Sequence, residues 1–166
     1  KVYVNALPYP NEARFREERT EESFPDKIER WIARGEEGFR GDMPYILLSH
    51  LFAAGGKSGE SERGIELGGA RAVPLECFRR GYTALGHLHR RQIFKNNVRY
   101  SGSILQYAFD EANTEKSVVL LRTRGTETEV LKEIPLTAGK RLVRLECNGA
   151  EQALRLLPQY PDCYIE

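Results

Sequence analysis

The sequence predicts an α+β fold. Three observations carry this. An alternating strand pattern opens the chain and is followed by a helix. Two antiparallel hairpins follow near its middle, and a short strand–helix–strand pattern closes it. At 166 residues the chain is long enough for one domain with a real core, or for one domain and the start of another.

KVYVNALPYP alternates apolar residues and ends in two prolines, so a strand is expected at about 1–6, then a break. Residues 11–23 are dominated by Glu and Arg without an apolar stripe and read as a solvated connection. In FPDKIERWIARGEE, Asp26 is a plausible N-cap, and Ile28, Trp31 and Ile32 recur at helical spacing. A helix is expected over about 26–37.

MPYILLSHLF is a continuous apolar run, the pattern of a strand buried on both faces. Residues 53–70 contain six glycines and read as a long loop, of the kind that is functional or disordered. ARAVPLECF carries a short strand and a helical turn. GYTALGHLH is a strand running into a loop. QIFKNNVRYSGS reads as a hairpin turning at Asn96-Asn97. KSVVLLRTRGTETEVLKEI is a second hairpin, turning near Gly125. Pro135 to Lys140 reads as a linker. RLVRLEC, GAEQALRLL and DCYIE then give the β-α-β beginning of a second small domain. The expected division is 1–135 and 136–166. Lys1 at the start and the barely begun strand at the end read as cut ends, so a piece of a longer protein is expected.

The formal net charge of +1 gives no overall attraction to nucleic acid or membrane. No apolar run approaches the ~20 residues that span a bilayer, and there is no signal-peptide pattern. Cys77, Cys147 and Cys163 form neither a disulfide framework nor a zinc knuckle; buried free thiols in a reducing, cytoplasmic setting are expected.

The chain has three histidines, all at the ends of expected strands: His50, His87 and His89. One histidine at a strand end is ordinarily structural. In an extended segment, however, residues i and i+2 point the same way, so His87 and His89 would face one spot. Two neutral imidazoles aimed together can seat a divalent cation. Around them stand Arg79, Arg80, Arg90, Arg91, Lys95 and Arg99, with no Asp or Glu from 79 to 99. That concentration of charge suits a phosphate-rich substrate, or else is a solvated loop face. Together the two features point to metal-assisted phosphoester chemistry.

A two-metal site also needs carboxylates. Asp42, Asp110 and Glu111 sit in no obvious ligand motif, and Gly41-Asp42 precedes Met43-Pro44 rather than closing a strand. Three histidines alone could hold one zinc with an open position.

LLSHLF, YTALGHLHRRQ, VRYSGSILQYAFDE and KSVVLL, in this order and spacing, resemble the SbcD-type nuclease subunits among the calcineurin-like metallophosphoesterases. The resemblance covers about 44–122. Residues 1–43 fit the strand, connection and helix that precede it, and 136–166 the opening of a C-terminal capping domain.

The resemblance implies α/β/β/α layers: the second half of a β-sandwich with flanking helices. It implies two divalent ions, Mn²⁺ or Mg²⁺, with His50 and His87 on one and His89 on the other. In the family the Asp-x-His, Gly-Asp and Gly-Asn-His ligand motifs lie upstream of the matched segment and have no counterpart in this chain, Gly41-Asp42 closing no strand, and the histidine thought to protonate the leaving group goes with them. No catalytic residue is therefore assigned, and the 166-residue chain alone is expected to be inactive. The family often has an acidic residue where this chain has Gly81, which is not a ligand position.

Further implications are DNA as substrate, cleavage at ends and hairpins, an SbcC-like SMC ATPase as partner, and a homodimer. Arg90 and Arg91 are candidates for phosphate contacts. Ser101, Gly102 and Ser103 would form a loop near the site, where Gly102 either lets a DNA strand approach or makes an ordinary tight turn. Two other readings stay open: a phosphodiesterase acting on a small molecule, and a non-catalytic module binding DNA or a partner.

Overall fold

The computed structural model describes residues 1–10, 21–59, 62, 71–95 and 97–166. Most of the expected connection at 11–23, most of the glycine-rich loop and Asn96 lie outside these residues.

Strands β1 (Tyr3–Leu7), β2 (Tyr45–His50), β3 (Tyr82–Gly86) and β5 (Val98–Tyr100) run parallel, and β4 (Gln92–Ile93) closes the edge antiparallel to β5. The sheet order is β1-β2-β3-β5-β4. The expected QIFKNNVRY hairpin is therefore present, but β5 also pairs with β3 and so belongs to the parallel sheet.

Helix α1 (Phe24–Gly35) packs on this sheet. It starts earlier than its sequence pattern indicates. Ser23 is the N-cap, and its hydroxyl accepts the Asp26 N–H. Pro25, which needs no N–H partner in the first turn, extends the helix toward it. Asp26 is thus a first-turn residue, where its charge suits the helix dipole. Ile28, Trp31 and Ile32 are buried as their spacing requires, each contributing roughly 1.5–3 kcal/mol by leaving water. Asn5 on β1 is buried and donates to Ile32 O at 3.0 Å and to Tyr45 Oη at 2.9 Å, so helix and sheet are joined by polar contacts as well as packing.

One face of the sheet is the core: Asn5, Leu47 and Thr83 lie in register, as do Leu7, Ser49 and Leu85. The other face carries Val4 beside Ile46 and Ala6 beside Leu48 and Ala84. Here the continuous apolar run departs from expectation. Leu48 is 43% and Val4 51% exposed, so β2 is covered on one face only by the described residues.

Strands β6 (Ser117–Arg124) and β7 (Glu127–Pro135) form the second expected hairpin, with a register shift between Leu120 and Leu121. Gly125 turns it at φ +60°. The closing β-α-β unit consists of β8 (Leu142–Val143), α2 (Ala150–Leu156) and β9 (Tyr164–Ile165), with β8 and β9 parallel. Val73 makes an isolated bridge to Ala53, followed by a 3₁₀ turn at Leu75–Cys77. All three cysteines are free, but only Cys77 is buried; Cys147 is exposed and Cys163 half-buried. Cys147 lies in the segment between β8 and α2, which packs little. No helix among the described residues is long and apolar enough to cross a membrane.

Candidate functional site

The parallel strands all end on one edge of the sheet, and the histidines stand there. Carboxyl ends of parallel strands are the usual place for ligands, because the backbone fixes side chains while the loops stay open. His50 is the last residue of β2 and pairs in register with Gly86, the last of β3. A Cβ at Gly86 would lie 3.0 Å from His50 Nδ1, so the bare strand end makes room for the ring. His87 follows at once, and its ring stands edge-on to His50 with centroids 5.3 Å apart. Tyr9, just past β1, covers His50 at 5.7 Å, and Phe52 flanks His87 at 6.3 Å. Together with Arg71 these rings border a cavity of about 60 Å³.

Burial and then the nearby charge of His89 hold the His50 imidazole below its ordinary pKa, which keeps it neutral with a lone pair to offer.

The extended geometry that would aim His87 and His89 in one direction is broken at His87, whose φ is +119°. β3 stops at Gly86, and the two rings meet different partners. His89 Nδ1 lies 3.0 Å from Glu111 Oε1, with Tyr107 against the ring at 5.2 Å. Its backbone N–H donates to the Glu62 carboxylate. Its carbonyl accepts from Lys116 Nζ at 2.9 Å and from Ser103 N–H at 3.0 Å.

Glu62 and Lys116 are functional candidates that sequence reasoning missed, and Glu111, a candidate acid set aside for want of a ligand motif, joins them at His89. Glu111 is 1% exposed. Burial would raise its pKa, but the hydrogen bonds from Lys116 and His89 and the charge of Lys116 outweigh burial, and the carboxyl is held below its usual value. The only local signal was a charged FDE triplet shortly before a lysine that immediately precedes strand β6.

Ser101, Gly102 and Ser103 follow β5, and Gly102 and Ser103 lie against the His89 carbonyl. Gly102 has φ +86°, and a Cβ there would meet the His89 carbonyl at 2.7 Å. A tight turn packed on His89 therefore accounts for this glycine. Ser103 Oγ donates to Leu105 O at 2.6 Å and accepts from Lys116.

The local excess of basic residues does not fold into one free cationic patch. Arg79 and Arg80 precede β3 and the histidines follow it, so the strand separates them. Arg79 pairs with Glu29 and Arg80 with Glu36. Arg90 Nη2 donates to Asp110 O at 2.7 Å and Oδ2 at 3.1 Å. Arg91 and Arg99 share Glu133, on β7. These carboxylates lie 20 to 50 positions away in sequence, so a local charge count does not see them.

Among the described residues, no group of three or more His, Cys, Asp or Glu side chains is gathered closely enough to hold a metal ion. The donor set offers two imidazoles together and a third fixed by carboxylates. That fits part of a coordination shell, not a whole one.

No protein-family profile matches the chain. It is 38% identical over 173 residues to the SbcD subunit of the nuclease SbcCD from Bacillus subtilis (strain 168), an alignment taking in 96% of this chain and 44% of that protein. It is 37% identical over 103 residues to the SbcD subunit of the nuclease SbcCD from Staphylococcus epidermidis, taking in 61% of this chain and 28% of that protein. The chain thus spans less than half the length of the curated relatives it matches. The SbcD-type resemblance expected from the sequence is the one both relatives bear out.

Proposed function

We propose that this chain, related to the SbcD subunit of SbcCD nucleases across nearly its whole length, is part of a metal-dependent nuclease subunit that hydrolyses DNA phosphodiester bonds. The observation that carries this reading is the placement of His50, His87 and His89 at the carboxyl edge of one parallel sheet, in a chain so related.

In this reading residues 1–135 are the later part of a calcineurin-like β-sandwich with α/β/β/α layers, and 136–166 begin a capping domain. The apolar face on which Val4, Ala6 and Leu48 are exposed and Ile46 and Ala84 half-buried supports a further layer, since open water is a poor neighbour for such a surface. His50 and His87 would hold one ion and His89 another, with the remaining ligands outside these residues. Manganese or magnesium ions, when bound, would polarise the phosphodiester and lower the pKa of a water. The residues of this chain orient that centre. The neutral imidazole of His50 offers a nitrogen lone pair, and the clamp on His89 fixes its ring.

DNA ends and hairpins are the substrates of this reading, with an SbcC-like SMC ATPase as partner, a homodimer as the assembly, and the cytoplasm as location. The pairing of Arg90, Arg91 and Arg99 with carboxylates favours a second reading, a phosphodiesterase on a small molecule, which needs no long cationic track.

The test is Mn²⁺-dependent cleavage of linear duplex DNA by the full-length protein carrying this segment. His87→Ala is expected to abolish cleavage with the circular dichroism spectrum unchanged. Undiminished cleavage by that variant would overturn the ligand assignment.

A further inference from the structure

His89 is gripped from two sides by one buried ion pair. The side chain of Lys116 is 7% exposed and that of Glu111 1%. Lys116 directs its ammonium at three acceptors: His89 O at 2.9 Å, Ser103 Oγ at 2.9 Å and Glu111 Oε2 at 2.6 Å. Those three contacts match the three hydrogens an ammonium carries. Glu111 Oε2 also faces the Tyr107 N–H at 3.4 Å, while Oε1 faces the imidazole. The turn that bears Glu111 is itself pinned. Gln106 Nε2 donates to the carbonyls of Glu111 and Ala112 at 3.0 Å, and Gln106 Oε1 accepts the Leu142 N–H at 2.7 Å.

An ionised carboxylate only accepts hydrogen bonds. With Glu111 locked in that form by Lys116, Nδ1 of His89 must carry the proton. In the neutral ring the lone pair then belongs to Nε2.

We propose that Glu111 and Lys116 are positioning residues that fix the ring orientation and tautomer of His89, making Nε2 its ligating nitrogen. The inference rests on the reading of His89 as a metal ligand. Partners of this kind are worth about 10–100-fold in metal affinity where they orient a ligating histidine.

Glu111→Gln makes the claim sharp. Lys116 would keep the amide oxygen, which turns the amide NH₂ toward Nδ1 and reverses the tautomer. The experiment is long-range ¹H–¹⁵N correlation NMR on the full-length protein labelled at histidine, with His89 assigned through His89→Gln. Wild type is expected to show Nδ1–H, and Glu111→Gln Nε2–H. Titration with Mn²⁺ alone is expected to show affinity reduced ~10–100-fold in that variant.

Should Glu111→Gln not fold, Glu111→Leu combined with Lys116→Met removes both buried charges together, a change that proteins often tolerate. That pair is expected to leave His89 a mixture of tautomers. Nδ1–H retained without mixture in either variant, or Nε2–H in the wild type, overturns the proposal. His89→Ala with unchanged Mn²⁺ affinity would overturn the ligand reading instead, so the two failures are distinguishable.

Discussion

The rings of His50 and His87 meet edge-on, 5.3 Å between centroids and 82° between planes, although 36 residues of chain separate them. The meeting requires the backbone of His87 to sit at φ +119°, a conformation that a residue with a Cβ adopts at a cost. A glycine there has no such cost. His87→Gly is therefore expected to be more stable than His87→Ala by ~1 kcal/mol, with both lacking the ring. Urea unfolding of the two variants measures this. Equal midpoints would mean that the turn carries no strain.

Tyr100 ties the same edge together from below. Its hydroxyl donates to Leu51 O and accepts the Ala53 N–H, both at 2.8 Å, with the ring fully buried. Tyr100→Phe leaves those groups unpaired and should cost ~1–3 kcal/mol.

Burial also pushes the phenol up to about 12, above the 10.0 of an exposed tyrosine. A group whose pKa is raised on folding stabilises fully below its unfolded value and loses that contribution as pH rises through its folded value. Wild type should thus lose stability between about pH 10 and pH 12, and Tyr100→Phe should lose less. Parallel alkaline profiles would contradict the assignment.

Arg90 engages Asp110 through both a carbonyl and a carboxylate. A phosphate would have to compete with that carboxylate. Arg90→Ala is expected to weaken DNA binding uniformly across sequences and lower the salt slope by ~1. Asp110→Asn, which leaves Arg90 less neutralised, should tighten binding. Fluorescence anisotropy over a salt series tests both. An unaltered slope in Arg90→Ala would remove that residue from the interface.

Gly102 touches the His89 carbonyl, and its positive φ bars an ordinary side chain. Gly102→Ala should cost more than ~1 kcal/mol and weaken Mn²⁺ binding along with it. Thermal unfolding and calorimetry on one preparation would show whether the two losses travel together. Mn²⁺ affinity unchanged in a destabilised variant would separate the turn from the site.

Much of this is legible in the sequence, for local reasons. Alternation in KVYVNAL, helical spacing at Ile28, Trp31 and Ile32, and turn residues between the hairpin strands are short-range signals. The elements they mark are present. The start of α1 is harder to place because Asp26 and Ser23 both resemble caps, and only the path of the backbone chooses between them. The three histidines stand out by rarity and by their place at strand ends. What a local pattern does not carry is contact across distance. Glu111 lies 22 residues from His89, and Glu133 lies 42 from Arg91. Nothing in their immediate neighbours couples them. The bend at His87 is hidden for a related reason, since no glycine stands at that position to announce a positive φ and the fold imposes it.

The proposed reading gives these residues three histidine ligands of a nuclease site whose other ligands lie outside them. It is tested most directly by cleavage of linear duplex DNA in Mn²⁺, comparing the 166-residue chain with the full-length protein. Cleavage is expected from the full-length protein and none from the chain alone. Metal-dependent cleavage that co-purifies with the chain alone would contradict it, because His50, His87 and His89 would then suffice.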